Sequence, residues 1–299
     1  MTNEEVIQKV KEEVRLRGLS ADTEAEYLKS IRVLLNYYDN RLLCEMAEPE
    51  IREFLLYLLE IGRSSGTVNI YNSAFRFVFG AVLEKNLNYQ MIPRRRIHRE
   101  LPTIMSKAEI VKFFSVIDNL RDRAIFETVY GAGLRISEIA HLRVQDIDSD
   151  GMRLFVFQGK GGKDRYTLLS QRNLKVLREY WKIYRPNHPD GYLFYTRNGK
   201  TCCITIRAIQ DAFHKYRKRA GLSDEFTVHT LRHCFATHLL ESGVDVCRIK
   251  QLMGHTHIQS TTFYLHLLNF DGTIVSPLDT LPKKRGRKPK AKSEVVSHA

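Results

Sequence analysis

The feature that most constrains this fold is a break in the helical pattern near residue 90. Residues 3–86 carry apolar residues at helical spacing, whereas the stretch that follows, NLNYQMIPRRRIHRELPT, holds two prolines and four arginines. Proline lacks an N–H group and disfavours helix at its own position and at the position before it. We therefore predict the following segments: a first domain at 1–92, an extended basic linker at 93–102, a second domain at 103–270 and a tail at 271–299.

The sequence of the first domain predicts four short helices. A charged amphipathic helix ends at Gly18, and the spacing Thr23-x-x-Glu26 is typical of a capping box at the start of a second helix. Pro49 fits the first turn of a third helix, and Thr67 begins a fourth. The first domain is therefore expected to be a compact helical bundle.

The second domain mixes helices with a hairpin. Ser106-x-x-Glu109 is another capping-box pattern, and two strand-like runs, MRLFVF and RYTLLS, flank the turn GKGGKD. A further short strand is predicted for YLFYT at 192–196. The predicted helices cover residues 107–117, 121–130, 136–142, 173–184, 205–221, 229–242, 246–253 and 258–268. The predicted fold class is mainly α with a small β-sheet (α+β).

The formal charge of +13 favours a polyanionic partner such as nucleic acid. Residues 281–299 contribute +6 of this charge, so the rest of the chain keeps +7. No apolar run reaches the roughly 18 residues that a membrane span needs, and the charged N-terminus is unlike a signal peptide. Five cysteines without framework spacing favour a reducing compartment. We therefore expect a cytoplasmic protein that does not act at a membrane.

The segment HTLRH contains the first candidate site. His229 and Arg232 lie three residues apart and so project from one face of a helix. The apolar stripe that includes Leu231 and Phe235 falls on the opposite face, so the pair is expected to face away from the core. An arginine beside a histidine suits phosphate binding and acid–base chemistry. The alternatives are an ordinary surface pair and a zinc site with His233, which would lack the glutamate of H-E-x-x-H.

Two further cations are associated with glycine-rich turns. Arg135 follows a glycine turn at the start of a helix, where backbone N–H groups favour anions. Lys160 lies at the tip of the predicted hairpin, where glycines allow a ligand backbone to approach closely. Taken alone, each residue also fits an ordinary solvent-exposed turn. In a site, the guanidinium would bind phosphate, and the ammonium would neutralise phosphate or give a proton to a leaving oxygen.

The segment LMGHTHIQSTTFYLH supplies the last two candidates. His255 follows the helix-terminating Gly254, and Tyr264 lies nine residues later in the next predicted helix. A tyrosine at helical spacing is usually a core residue, but its neighbours Thr261 and Thr262 are polar. A partly exposed hydroxyl is therefore an alternative to a core position.

Together these segments resemble the tyrosine recombinase (phage integrase) family, with the greatest similarity to Xer-like and integron-type members. The similarity lies in GLRISEIAHLRVQDID, GKGGKDR, HTLRHCFATHLLESGVD and IKQLMGHTHIQSTTFYLH, and it covers about residues 101–270. The resemblance implies an N-terminal helical core-binding (SAM-like) domain followed by a catalytic domain. The family pattern R…K…H-x-x-R…H…Y is complete in this sequence and corresponds to Arg135, Lys160, His229, Arg232, His255 and Tyr264.

The resemblance implies a site-specific DNA recombinase that cleaves and rejoins strands through a covalent 3′-phosphotyrosine. Tyr264 would then be the nucleophile, and Arg135 and Arg232 would stabilise the charge that grows on the phosphate. A phenol has an ordinary pKa near 10 and needs a base, for which His229 is the candidate. Lys160 would protonate the leaving 5′-oxygen.

The resemblance also implies that His255 hydrogen-bonds the phosphate. It implies no metal ion or other cofactor, since side chains supply the cations, and no ATP, since the phosphotyrosine retains the energy of the cleaved bond. The expected partner is duplex DNA in the nucleoid, bound by a monomer or dimer at a single site and by a homotetramer at paired sites. Residues 258–275 would pack onto a neighbouring subunit.

Basic residues outside the catalytic pattern are predicted to contact DNA: Arg94, Arg95, Arg96, Arg99, Lys163, Arg285 and Arg287. In the linker, the alternative is a solvated run of charge. In the tail, KKRGRKPK resembles an AT-hook, whose Arg-Gly-Arg core enters a narrow minor groove, although Lys288 separates Arg287 from Pro289. A generic basic tail and a nuclear-import signal are the alternatives there.

Two other functions are compatible with this fold. One is a catalytically silent DNA-binding accessory protein, and the other is a type IB topoisomerase-like enzyme that relaxes DNA as a monomer. The complete set of six residues argues against the first, and the Xer-like segments argue against the second.

Overall fold

The computed structural model describes residues 1–88, 90–97, 102–159, 163–196, 203–255 and 261, with the backbone alone at 158, 159 and 163. The chain divides into two compact units, Met1–Glu100 and Leu101–Ala299. The predicted helix at 258–268 and the predicted tail lie outside the described residues, apart from Thr261. Across the described ranges, every helix is too short or too polar to cross a bilayer.

The N-terminal unit contains the four predicted helices. They are α1 (Asn3–Leu16), α2 (Ala21–Tyr37), α3 (Glu48–Glu60) and α4 (Ser65–Phe77). A 3-10 helix, Leu43–Glu45, precedes α3, and α4 continues directly into a π-helical turn, Val78–Val82.

Two helices of this unit begin earlier than predicted. Ser20 caps α2, because its hydroxyl accepts the Thr23 backbone N–H at 3.2 Å. Ser64 caps α4 in the same way, accepting the Thr67 N–H at 3.2 Å. In each case a serine three residues upstream of the threonine provides the cap, so the helix gains residues at its start.

The core of the N-terminal unit is built from one apolar face of each helix. Ile31, Phe54 and Phe75 are fully or almost fully buried, and the rings of Phe54 and Phe75 meet edge to face with centroids 5.7 Å apart. Ile92 belongs to the same core although it follows the last helical turn. The chain is therefore anchored in this core immediately before Pro93.

The C-terminal unit is mainly helical with a small sheet, which confirms the predicted fold class. Its helices are α5 (Lys107–Ser115), α6 (Leu120–Ala132), α7 (Ile136–Ala140), α8 (Gln171–Tyr184), α9 (Ile206–Arg219), α10 (Val228–Glu241) and α11 (Val246–Met253). Its strands are β1 (Ile147–Asp148), β2 (Arg153–Gly159) and β3 (Lys163–Leu168).

The sheet is antiparallel with strand order β1–β2–β3. Strands β2 and β3 form the predicted hairpin, whose turn at 160–162 lies outside the described residues. The two-residue strand β1 was not predicted. The predicted strand at 192–196 is wrong, because Tyr192 and Tyr195 each form only an isolated bridge, with Arg143 and Cys203 respectively.

The core of the C-terminal unit surrounds α10, which packs against α6, α9 and α11. Contacts on several sides bury most of this helix: Leu231, Arg232, Cys234, Phe235 and His238 are all at most 8% exposed. The predicted single apolar stripe on this helix is therefore wrong. Arg232 is directed into packed protein and must be stabilised there by polar partners.

Candidate active site

The junction between α6 and α7 positions Arg135. Gly133 ends α6 in the left-handed region at φ 64°, and a Cβ at this residue would overlap the ring of Phe235. Arg135 is the N-cap residue of α7, and Glu138 is the third residue of that helix. The Glu138 carboxylate accepts the Arg135 backbone N–H at 2.7 Å and its Nη1 at 2.7 Å. Both the backbone and the guanidinium of Arg135 are thereby fixed.

The Glu138 carboxylate lies at the centre of a cluster of arginines. Arg165 donates two parallel hydrogen bonds to it, from Nη1 to Oε1 and from Nη2 to Oε2, both at 2.8 Å. Arg232 Nη1 lies 3.7 Å from Oε2. The side chains of Glu138, Arg165 and Arg232 are all buried. Three guanidinium groups, including that of Arg135, therefore face one carboxylate and leave an excess of two positive charges.

The pKa of Glu138 reflects these partners. Burial acts to raise the pKa, but the hydrogen bonds and charge of Arg165, the Arg135 N–H and the charge of Arg232 outweigh it and lower the pKa to about 2. The carboxylate is therefore ionised at neutral pH. It offsets one of the three positive charges and leaves the excess available to an anionic ligand.

Arg165 connects three elements of the C-terminal unit. It lies on β3, binds Glu138 on α7, and donates from Nε to the carbonyl oxygen of Leu252 on α11 at 2.8 Å. Gly254 ends α11 at φ 62°, and a Cβ there would lie 2.8 Å from Arg165 Cδ. The close approach of α11 to this side chain therefore requires glycine at position 254.

Arg232 binds the C-terminal ends of two helices. Its Nη1 donates to the carbonyl oxygen of Gly133 at the end of α6, and its Nη2 donates to that of Met253, the last residue of α11, at 2.7 Å. Helix C-termini carry partial negative charge, which stabilises a buried guanidinium. Arg135 Nη2 lies 3.5 Å from the carbonyl oxygen of Gly254. Both arginines therefore meet at the C-terminal end of α11.

His255 contacts Arg232 directly. Its Nε2 lies 3.3 Å from Arg232 Nη2, and its Nδ1 lies 2.8 Å from Thr261 Oγ1. Burial and the charges of Arg232 and Arg135 lower the pKa of His255 to about 4, so the ring is neutral at pH 7. Because a guanidinium can only donate, we infer that Nε2 accepts from Arg232 and that the ring proton lies on Nδ1, toward Thr261.

His229 lies in the first turn of α10 and is exposed. Partial desolvation and the charges of Arg232 and Arg135 lower its pKa. His233, one turn further along, is half-buried, and its pKa is lowered to about 4 by burial and by His229 and Arg232. Both rings favour the neutral form, and a neutral imidazole can accept a proton.

Four of the six predicted catalytic residues lie close together, while the other two, Lys160 and Tyr264, lie outside the described residues. Arg135, Arg232 and His255 meet at the end of α11, and His229 is close enough for the charges of Arg232 and Arg135 to lower its pKa.

Sequence reasoning did not select Glu138 or Arg165 for the site. A signal for Glu138 was present, because it follows Arg135 at capping-box spacing. Arg165 ends the segment GKGGKDR and carries no signal of its own. Their pairing could not be read from local pattern, since 27 positions separate them in the chain.

The basic residues predicted to contact DNA are described only in part. Arg94, Arg95 and Arg96 are exposed residues of the N-terminal unit. The side chain of Lys163 and the whole of Arg99, Arg285 and Arg287 lie outside the described residues.

Comparison with known proteins decides the family. The phage integrase family matches residues 98–269, and the N-terminal SAM-like domain of phage integrases matches residues 6–89. The chain belongs to the phage integrase family. Among curated members, it is 35% identical to a putative integrase/recombinase, y4qK, of Sinorhizobium fredii over 291 residues, which cover 96% of this chain and 92% of that one.

Other known proteins are similar to this chain over most of their length. Tyrosine recombinase XerA of Pyrococcus horikoshii is 31% identical over 266 residues, covering 88% of this chain and 90% of that protein. The Tn1549 transposon integrase, solved in complex with transposon right end DNA, superposes with a TM-score of 0.69 at 21% identity, covering 91% of this chain and 96% of that one, and so shares the fold. The predictions of a tyrosine recombinase and of a site-specific recombinase enzyme are confirmed at the level of the family.

Proposed function

We propose that this recombinase cleaves and rejoins duplex DNA through a covalent bond between Tyr264 and a 3′-phosphate. The convergence of Arg135, Arg232 and His255 at the end of α11, with His229 close enough for both guanidinium charges to lower its pKa, is the observation that carries the proposal. A phosphodiester is an anion that resists nucleophilic attack. Guanidinium groups already fixed in position stabilise the charge that grows on its oxygens in the transition state.

In the proposed step, the Tyr264 phenolic oxygen attacks phosphorus, so that an O–P bond to tyrosine forms and the P–O5′ bond breaks. His229 takes the phenolic proton, and Lys160 gives a proton to the leaving 5′-oxygen. The lowered pKa of His229 keeps its ring in the basic form at neutral pH. The 5′-hydroxyl of a second strand then reverses the step and releases the tyrosine, which requires no external energy source.

His255 is proposed to hydrogen-bond the phosphate beside Arg232. In the free protein its Nε2 accepts from Arg232, whereas a phosphate oxygen offers only an acceptor. The ring must therefore take up a proton or exchange tautomers when phosphate binds. The anionic phosphate favours this change, because a nearby negative charge raises the pKa of an imidazole.

For assembly and location, we propose a monomer or dimer at a single site, a homotetramer at paired sites, and a place in the cytoplasm on the nucleoid. The charge of +13 supports a DNA partner, and affinity should fall steeply with salt as phosphate contacts are screened. The residues proposed to contact DNA outside the catalytic site are Arg94, Arg95, Arg96, Arg99, Lys163, Arg285 and Arg287.

A nicked suicide duplex tests the covalent step. The duplex carries the binding site that the protein selects from its source genome, with a nick beside the cleavage position so that religation fails. The wild type should form a protein–DNA adduct that survives denaturing electrophoresis, and Tyr264→Phe should form none. Tyr166→Phe is the matched control, because Tyr166 is an exposed tyrosine of β3 in the same unit.

The outcomes of the suicide-duplex experiment distinguish a recombinase from an accessory protein and from a topoisomerase. A wild type that binds the duplex without forming an adduct would favour the accessory protein. An adduct accompanied by relaxation of supercoiled DNA from a monomer, with no exchange between paired sites, would favour the topoisomerase. An adduct that persists in Tyr264→Phe would contradict the assigned nucleophile.

A further inference from the structure

The chain does not leave the N-terminal unit after its last helical turn but runs back along α4. Ile92 is 2% exposed and lies in the core. Its carbonyl oxygen accepts from Arg76 Nη2, and the carbonyl oxygen of Pro93 accepts from Asn72 Nδ2 at 3.2 Å. Asn72 is itself buried. The start of the basic segment is therefore fixed by interior groups of α4.

Asn69 holds the next part of the segment by its backbone. Its Oδ1 accepts the Arg95 N–H at 2.9 Å, and its Nδ2 donates to the Arg95 carbonyl oxygen at 2.9 Å. One carboxamide thus satisfies both backbone groups of one residue, as a neighbouring strand would. The backbone at Arg95 is fixed although its side chain is exposed.

Two serines of α4 bind the arginine side chains. Arg94 Nη2 lies 3.2 Å from Ser73 Oγ, and Arg95 Nε lies 3.1 Å from Ser65 Oγ. Ser65, Asn69 and Ser73 are four residues apart and therefore form one stripe along the helix. At 1.5 Å per residue the stripe is about 12 Å long, with one guanidinium at each end.

We propose that this α4 stripe and residues 93–96 form a preorganised surface for the phosphates of duplex DNA, with Asn69 as its positioning residue. This inference rests on the proposed action on DNA. Each serine binds one N–H group of its arginine, so other N–H groups of that guanidinium can donate to a phosphate oxygen. The first turn of α4 contains no acidic residue, so its N-terminal end also favours an anion.

Preorganisation has a measurable consequence. Arginines on a freely moving linker would lose side-chain and backbone freedom on binding, whereas arginines already held on α4 lose less. Asn69→Ala removes the backbone contacts but leaves every charge in place. It should therefore weaken DNA binding without changing the number of phosphates that are neutralised.

Hydrogen exchange measures whether residues 93–96 are held against α4. The full chain is used in the Tyr264→Phe background, so that no covalent adduct contributes to any reading. Asn69→Ala should speed exchange at the Arg95 amide, and Asn36→Ala should not. Asn36 is the matched control, because it is an exposed asparagine on α2 of the same unit. Equal exchange rates at the Arg95 amide in both variants would contradict the inference that Asn69 holds this backbone against α4.

The effect of Asn69→Ala on DNA affinity is measured by binding to a labelled duplex of arbitrary sequence, since phosphate contacts do not depend on sequence. Asn69→Ala should bind roughly 3- to 10-fold more weakly than Asn36→Ala, with the same slope of log affinity against log salt. Arg94→Ala/Arg95→Ala should reduce that slope by about 0.9 for each phosphate that the variant no longer neutralises.

An unchanged slope in the double arginine variant, or equal affinity of the two asparagine variants, would overturn the proposed surface. Neither result bears on whether Tyr264 forms an adduct, which the suicide duplex tests separately. A protein that bound no duplex at all would instead overturn the proposed function, while the exchange experiment would still report whether residues 93–96 are held against α4.

Discussion

Replacing Glu138 with glutamine tests whether one buried carboxylate holds the arginine cluster together. In the wild type, Oε1 accepts from Arg135 Nη1 and Arg165 Nη1, and Oε2 accepts from the Arg135 N–H and Arg165 Nη2. Glutamine has nearly the same shape but is uncharged, and its amide nitrogen can only donate. Whichever carboxylate oxygen the amide NH₂ replaces, one N–H group of Arg135 and one of Arg165 would then face a donor in place of an acceptor.

The expected loss is about 3–5 kcal/mol in the free energy of unfolding, because removing one partner of a buried ion pair leaves uncompensated charge. An exposed pair provides the control: Arg207 and Asp211 on α9 are 82% and 56% exposed in their side chains. Asp211→Asn should cost less than about 1 kcal/mol. Urea denaturation of the full chain, followed by the circular dichroism of its helices, measures both losses.

A double variant separates loss of charge from loss of shape. Removing Arg165 together with the Glu138 carboxylate removes part of the uncompensated charge, so Glu138→Gln/Arg165→Gln should be more stable than the sum of the two single losses predicts, with a coupling energy of about 1–3 kcal/mol. Strand cleavage should be lost in both Glu138 variants, because Arg135 loses the carboxylate that fixes it. Additive losses, or a Glu138→Gln loss no greater than that of Asp211→Asn, would refute the reasoning.

Two further predictions concern backbone fit and pH. Gly254→Ala should destabilise the chain by about 1–3 kcal/mol more than Gly243→Ala, because both glycines have positive φ but only at 254 does a Cβ meet Arg165; equal shifts in Tm would contradict this. Lowering the pH from about 6.5 to about 4 should also destabilise the fold, since unfolded histidines bind protons there whereas His233 and His255, with folded pKa values of about 4, do not. Thermal unfolding of His233→Gln/His255→Gln should depend less on pH over this range, and an unchanged dependence would count against the two rings.

Much of the fold could be predicted because its boundaries are set by local chemistry. Gly133 and Gly254 end helices in the left-handed conformation, as glycine spacing indicated. The early starts of α2 and α4 show where this reasoning is ambiguous, because Ser20 and Thr23 are both good caps and the helix extends to the earlier one. Local pattern names the competing caps but does not decide between them.

The larger errors in the predictions from sequence arose where tertiary contacts override local pattern. A stretch such as 192–196 has strand propensity, but its backbone groups pair with two separate loops, one bridge at a time, so no ladder forms. Helical periodicity predicted one buried stripe on α10, whereas neighbours on several sides bury most of it. The same packing explains why Arg165 was missed: its function depends on Glu138 and Leu252, which are distant in sequence.

The partners of Arg232 indicate that this part of the site is already in place before DNA binds. Two of them are carbonyl oxygens at the ends of α6 and α11, and these cannot move far unless a helix end unwinds. A further partner is the ring of His255, whose proton can be relocated by a change of tautomer. A phosphate that reaches Arg232 therefore meets a guanidinium held by fixed backbone dipoles, which is the preorganised arrangement that lowers reorganisation during reaction. We expect binding to change the protonation of His255 and to leave the backbone around Arg232 in place.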